Sequence, residues 1–221
     1  MPNILKTSFY NNPNIGLYAF ATDSYCILAP NIKEALVEKI KAVLKVPIYQ
    51  LTIFNSNLIG VFCSGNENLL LVPSLITEHE IRDLEKFKIP YKIIDTKLTA
   101  LGNNLIIKDN ICLANPNYGK NTIKQLKDFT VIQDKIANFS IVGSCAVITK
   151  KGCLLHIDSD EKDIKKIENL FKVKSDIGTV NMGNPYVHSG IIANSKGYIV
   201  GGQTSGPEIM RIDFALKNLE K

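Results

Sequence analysis

The chain reads as an α/β protein, one closed ring of five β-β-α-β units. Three observations predict this. An apolar-glycine pair recurs at Ile15-Gly16, Ile59-Gly60, Leu101-Gly102 and Val142-Gly143, with a weaker copy at Ser189-Gly190. The glycines are 44, 42, 41 and 47 residues apart, the signature of a repeat architecture. The order of elements after each pair is the same: hairpin, capped helix, strand. The fifth unit lacks its closing strand, and the N-terminus carries a spare one.

The elements follow in order. Each glycine is expected to open an apolar strand: Leu17-Tyr18-Ala19-Phe20, Val61-Phe62-Cys63, and Ser144-Cys145-Ala146-Val147-Ile148. Hairpin turns come next, at Thr22-Asp23-Ser24, Gly65-Asn66-Glu67-Asn68, Asp109-Asn110, Lys150-Lys151-Gly152 and Asn194-Ser195-Lys196-Gly197. These residue types take positive φ at low cost. The second strands, such as Cys26-Ile27-Leu28-Ala29 and Leu69-Leu70-Leu71-Val72, are short and apolar without clean alternation, which predicts burial on both faces.

Capping-box spacing predicts the helix starts: Asn31 with Glu34, Thr77 with Glu80, Asp158 with Glu161, and Ser205 with Glu208. Pro207 falls in a first turn, where no N–H is missed. Apolar residues then recur at helical spacing, as in Ile164, Ile167, Leu170 and Phe171. The third helix is expected near Asn121 to Lys127. Final strands begin at Val46-Pro47, Ile89-Pro90, Val131-Ile132 and Val173-Lys174. The stretch Met1-Pro2-Asn3-Ile4-Leu5-Lys6-Thr7 resembles the Val-Pro and Ile-Pro starts of units one and two. Pairing it into the fifth unit would close the ring without a free edge. The expected domain is therefore single and spans residues 1–221.

Composition narrows function by exclusion. The chain has 221 residues, is 45% hydrophobic, and has a net charge of +5. No apolar run reaches membrane-span length, and the N-terminus lacks a signal-peptide core, so a cytoplasmic protein without membrane contact is expected. Only Arg82 and Arg211 are arginine, and no basic run exists. Bidentate recognition of bases or phosphates favours arginine, so the balance argues against DNA. There is no tryptophan, and Phe9-Tyr10 is the one aromatic pair that looks exposed, which argues against a generic RNA-binding module. Cys26, Cys112 and Cys153 each lie ten residues after their glycine, where the other units carry Leu70 and Val200. A position accepting Cys, Leu and Val is a buried strand position. All five cysteines, including Cys63 and Cys145, are expected to be reduced and free of metal.

Several longer stretches resemble the archaeal translation initiation factor six family, the ribosomal anti-association factors. They are Asp95-Thr96-Lys97-Leu98-Thr99-Ala100-Leu101-Gly102-Asn103-Asn104, Asp176-Ile177-Gly178-Thr179-Val180-Asn181, Ala193-Asn194-Ser195-Lys196-Gly197 and Thr204-Ser205-Gly206-Pro207-Glu208. With Ser189-Gly190 they stand in the family's order over essentially the full length. The resemblance implies a five-bladed α/β propeller of pentein type, a non-enzymatic monomer without cofactor. It implies binding to the large ribosomal subunit, through a ribosomal protein surface with rRNA contact left open, and blocking of premature joining by the small subunit. A role in large-subunit biogenesis is also left open. Departures are Met182, where the family often has arginine, and Ile157 after His156, where it usually has proline. Asn57, Val61 and Glu67 stand where eukaryotic relatives are basic, so charge contacts there do not carry over.

The enzymatic alternative within the same architecture is a guanidino-modifying enzyme with a late cysteine nucleophile and an upstream His-x-Asp. His156-Ile157-Asp158 is present, but no cysteine follows Cys153. Cys153 lies three residues before His156 on one short strand, so their side chains face opposite ways. Asp158 is better explained as a cap. His79 in a first helical turn and His188 in a loop have no partner pattern. Gly201-Gly202 completes neither a P-loop nor a dinucleotide fingerprint.

A docking face is expected on the loops at the ends of the ring, built from Asn14, Gly16, Asn57, Asn66, Asn103 and Asp109. Asparagine offers a donor and an acceptor to a partner's backbone, although it also simply tolerates turn conformations. Gly16 would admit close approach of the partner. The family resemblance favours the loops of the first three units.

Overall fold

A computed structural model describes residues 4–217. It holds five three-stranded sheets arranged as blades around a pseudo-fivefold axis. The described chain begins with β1 (Ile4–Thr7). Unit one contains β2 (Ala19–Ala21), β3 (Cys26–Leu28) and β4 (Ile48–Gln50). Unit two contains β5 (Ser64–Gly65), β6 (Leu70–Pro73) and β7 (Tyr91–Ile94). Unit three contains β8 (Leu105–Lys108), β9 (Ile111–Ala114) and β10 (Thr130–Gln133). Unit four contains β11 (Ala146–Ile148), β12 (Cys153–His156) and β13 (Ser175–Gly178). Unit five contains β14 (Ile191–Ala193) and β15 (Tyr198–Gly201).

In every unit the inner strand lines the axis and runs antiparallel to the middle strand, which pairs in parallel with an outer one. In unit five the outer strand is β1, with Ile4 opposite Tyr198 and Thr7 opposite Gly201. Residues 1–3 of that expected strand lie outside the described residues. The middle strands are buried along nearly their whole length, as their unbroken apolar runs predict. Burying each such Leu, Ile or Val contributes roughly 1.5–3 kcal/mol. Longer outer helices cover the sheets: Glu34–Leu44, Glu78–Lys86, Lys120–Gln125, Glu161–Phe171 and Gly206–Lys217.

Several local expectations are corrected. The repeated glycine does not open a strand. It is the second residue of a one-turn helix, at Ile15–Tyr18, Ile59–Phe62, Leu101–Asn104 and Val142–Cys145, and the inner strand starts after it. In unit five the same turn is Val187–Gly190, so its second residue is His188, not Gly190. His188 thus sits in a helical turn rather than a loop. The strand register agrees: Cys26, Leu70, Cys112 and Cys153 correspond to Tyr198, not Val200.

Of the four expected caps, two hold. Thr77 and Glu80 form a reciprocal box, and Ser205 and Glu208 exchange the same bonds. Asn31 takes left-handed backbone, φ 58°, and serves a turn; the helix starts after Lys33, which makes no side-chain cap bond. Asp158 gives way to Asp160, whose carboxylate accepts from Asp163 N at 2.9 Å. Both pairs have the same acid-to-acid spacing, and the turn closed by Ser159 N donating to His156 O delays the helix start. The third helix begins at Lys120 and ends at Gln125. Phe9 is buried, so the expected exposed aromatic pair reduces to Tyr10.

Candidate functional site

The one-turn helices meet at the axis because they lack side chains there. A Cβ on Gly60 would lie 1.9 Å from Gly16 O, one on Gly102 2.0 Å from Gly60 O, and one on Gly143 2.0 Å from Gly102 O. A Cβ on Gly16 would lie 1.9 Å from His188 O, which completes the circuit. His188 is the one side chain in this ring of five. Its Nδ1 donates to Gly143 O at 2.9 Å, and burial holds its pKa below the ordinary value, so the ring is neutral.

The inner strands carry the chain from these turns to the hairpins, so the axis has two mouths. The link mouth has a cleft of about 210 Å³ bordered by Gly16, Gly60, Asn103, Ser144, Tyr186 and His188. The hairpin mouth is a smaller cavity of about 60 Å³ whose lining includes Asp23, Asn66, Glu67, Asp109, Lys150 and Asn194. Lys150 reaches across it from unit four to Asp23 of unit one at 3.2 Å and Glu67 of unit two at 2.5 Å.

This geometry divides the six expected docking residues. Asn14, Gly16, Asn57 and Asn103 belong to the link side; Asn66 and Asp109 belong to the hairpin side. They do not form one face. Asn66 is buried and committed: its Nδ2 donates to Asp109 O at 2.7 Å, and its Oδ1 accepts from Asn68 N and Leu69 N. Asp109 is exposed, takes φ 53°, and pairs with Lys108 at 2.6 Å. Gly16 is buried, and its missing Cβ makes room for His188 O within the chain, not for a partner. Asn14 is half-buried, with its Oδ1 accepting from Asn181, Asn184 and Ser189. Asn57 is exposed and Asn103 half-exposed, so these two are open to contact on the link side.

The links themselves supply residues that the asparagine argument missed. Each runs from an outer strand to the axis and, in four units, makes a tight turn with left-handed residues at its tip. The tips are Tyr10-Asn11, Phe54-Asn55, Ala137-Asn138 and Asn181-Met182-Gly183. Tyr10, Phe54 and Met182 are exposed, Met182 to 76%. The signal was present: Phe9, Ile53 and Ile136 each precede a two-residue tip that ends in asparagine, and Val180 precedes the three-residue tip Asn181-Met182-Gly183.

No thiol is poised for nucleophilic attack. All five cysteines are buried and unpaired. Burial pushes Cys26, Cys112, Cys145 and Cys153 up to about 12 and raises Cys63 as well. His156 is buried between Phe139 and Tyr186, its Nδ1 accepting from Asp158 N at 3.2 Å, and burial lowers its pKa.

The eIF-6 family model matches residues 4–215. The chain belongs to the eIF-6 family. Translation initiation factor 6 of Sulfolobus acidocaldarius is 38% identical over 219 residues, covering 96% of this chain and 98% of the relative. The factor of Saccharolobus islandicus is 36% identical over 220 residues, covering 97% and 99%. That of Pyrococcus abyssi is 35% identical over 223 residues, covering 97% and 98%. Among solved structures, a dimethylarginine dimethylaminohydrolase adduct superposes with a TM-score of 0.50 at 16% identity, over 73% of this chain and 67% of that one. That likeness concerns the fold alone. The eIF-6 member described here therefore shares a pentein-type ring with an enzyme, and its family places it among translation factors. Among the described residues, no helix is long and apolar enough to cross a membrane.

Proposed function

We propose that this protein binds the large ribosomal subunit and keeps the small subunit from joining it prematurely, acting as a monomeric single domain without cofactor. The observation that carries the reading is the full-length membership of a translation-factor family on a ring whose chemistry is spent on its own closure. The axial glycines pack against backbone, and the thiols stay protonated. The alternative, a guanidino-modifying enzyme, needs a reactive late cysteine, and this sequence has no cysteine after Cys153.

The link side is the docking face in this reading. It presents Asn57, Asn103 and the tips at Tyr10, Phe54 and Met182, an apolar and neutral-polar set suited to a protein surface. The hairpin side is closed by the Lys150 ion pairs and the Asn66–Asp109 bond. A part in large-subunit biogenesis is compatible with the same docking. The test is sedimentation of the full chain with purified subunits. Co-migration with the large subunit alone, and fewer joined ribosomes when both subunits are mixed, supports the proposal. Absence of co-migration, or turnover of guanidino compounds, refutes it.

A further inference from the structure

We infer that Glu80 and Glu208 are positioning residues, each locking one link tip in the shape used for docking. The inference rests on the link side being the docking face. The two carboxylates do the same thing in units two and five. Glu80 accepts from Thr77 N at 2.9 Å and Thr77 Oγ1 at 3.0 Å, which belongs to helix capping. It also accepts from Thr52 Oγ1 at 2.7 Å, Phe54 N at 2.9 Å and Asn55 N at 2.7 Å, which capping does not require. Glu208 accepts from Ser205 N at 2.7 Å and Ser205 Oγ at 2.8 Å, and again beyond the cap from Thr179 Oγ1 at 2.8 Å, Met182 N at 3.3 Å and Gly183 N at 2.9 Å. Both side chains are buried, Glu80 to 1% exposure.

The tips need such support. Phe54, Asn55, Asn181 and Met182 have φ between 50° and 66°, a region that Phe and Met disfavour. The exposed Phe54 and Met182 side chains make no hydrogen bond that would hold that backbone; Asn181 is half-buried and its side chain bonds Pro13 O, Asn14 and Thr204, which ties one end of its tip. A carboxylate accepting from two consecutive tip N–H groups holds the backbone itself, because ionised acceptors make the stronger bonds. The other tips grade off. Asp163 makes a single tip bond, to Ala137 N at 2.8 Å, and in unit one Tyr10 instead donates its hydroxyl to Pro30 O. Units two and five thus carry the full latch under the exposed apolar tips Phe54 and Met182.

The test compares full-length wild type, the double variant Glu80→Gln/Glu208→Gln, and Asn194→Ala. Asn194 is buried at the hairpin mouth and bonds Thr22 O, Leu44 O, Lys196 N and Gly197 N, so its loss destabilises the ring away from the link side. Large-subunit affinity is measured well below every melting temperature, with amide exchange followed at Phe54, Asn55, Met182 and Gly183. If the unlatched tips hold the docking shape about a tenth of the time, affinity falls about tenfold. The expected result is that loss, faster exchange at the four amides, and Asn194→Ala binding like wild type despite a lowered melting temperature. Equal binding by the latch variant and wild type, or equal losses in the latch and Asn194 variants, overturns the inference while leaving the docking reading intact. Failure of wild type itself to bind the large subunit removes the docking reading and the inference with it.

Discussion

Replacing Gly102 with alanine tests the closure of the ring at one of its tight axial contacts. The added Cβ would lie 2.0 Å from Gly60 O and 2.6 Å from Cys63 O, both backbone atoms. Ordinary contact begins near ~3.4 Å, so the turn must retreat by more than about one ångström, in a close-packed interior. It cannot do so freely, because Gly143 packs against Gly102 O in turn. Overpacking a core typically costs 1–3 kcal/mol, and rigid neighbours on both sides place this site near about 3 kcal/mol. For a chain of this size that corresponds to a fall in Tm of roughly 6–12 °C. Gly206→Ala is the control: nothing lies within 4 Å of its Cβ, and it sits in the first turn of a helix. There the substitution should leave Tm unchanged or raise it by a few degrees, since alanine restricts the unfolded chain. Thermal melting followed by circular dichroism reads both. A Gly102→Ala protein that melts with wild type would refute the claim that backbone contacts across the axis set the ring.

Other expectations follow from the same structure. Glu208 is buried, which alone would raise its pKa, but the Ser205, Gly183 and Thr179 donors outweigh this and hold it at about 2 instead of 4.5. Its folded pKa is depressed, so its contribution of about 3 kcal/mol is present above pH 4.5 and lost as pH falls through 2. Glu208→Gln should flatten the acid limb of a stability-versus-pH curve, and an unchanged limb would contradict the assignment. Removing residues 1–7 uncovers the β15 edge, the Lys6–Thr204 bond and the packing of Ile4 and Leu5. The loss should reach at least about 3 kcal/mol and promote self-association, read by melting and sedimentation velocity. The five thiols should resist a disulfide reagent at pH 8 in the native protein and all react after unfolding, and a fast native thiol would contradict their burial.

The repeat period and order of elements were legible because each unit carries the same punctuation: an apolar-glycine pair, a turn, a cap. The spare N-terminal strand was legible for the same reason. Unit five misled because its axial residue is His188, and a real glycine two positions on, Gly190, drew the register away. The first-strand starts were misread because four apolar residues fit one helical turn as well as a short strand, and only contact across the axis decides between them. Asn31 and Asp158 had the right residue type at the right spacing, but cap choice depends on the path of the preceding turn. For the site, the candidate loops were visible and their side was not. Whether a loop lies at the link or the hairpin mouth follows from strand direction in the closed ring, which separates Asn103 from Asp109 by the length of one inner strand. The second role of Glu80 and Glu208 was hidden behind the capping role that the sequence did show.

The most direct measurement of the central claim is large-subunit affinity for a matched pair of substitutions, one at each mouth. Asn103→Lys alters the link side at a half-exposed position of the one-turn helix Leu101–Asn104, and Asn110→Lys the hairpin side at an exposed turn position. With melting temperatures unchanged, the account predicts that Asn103→Lys weakens binding about tenfold or more, the scale of a charge brought without a partner into an interface. It predicts that Asn110→Lys binds as wild type does. Full binding by Asn103→Lys together with loss in Asn110→Lys would place the docking face at the opposite mouth and contradict the account.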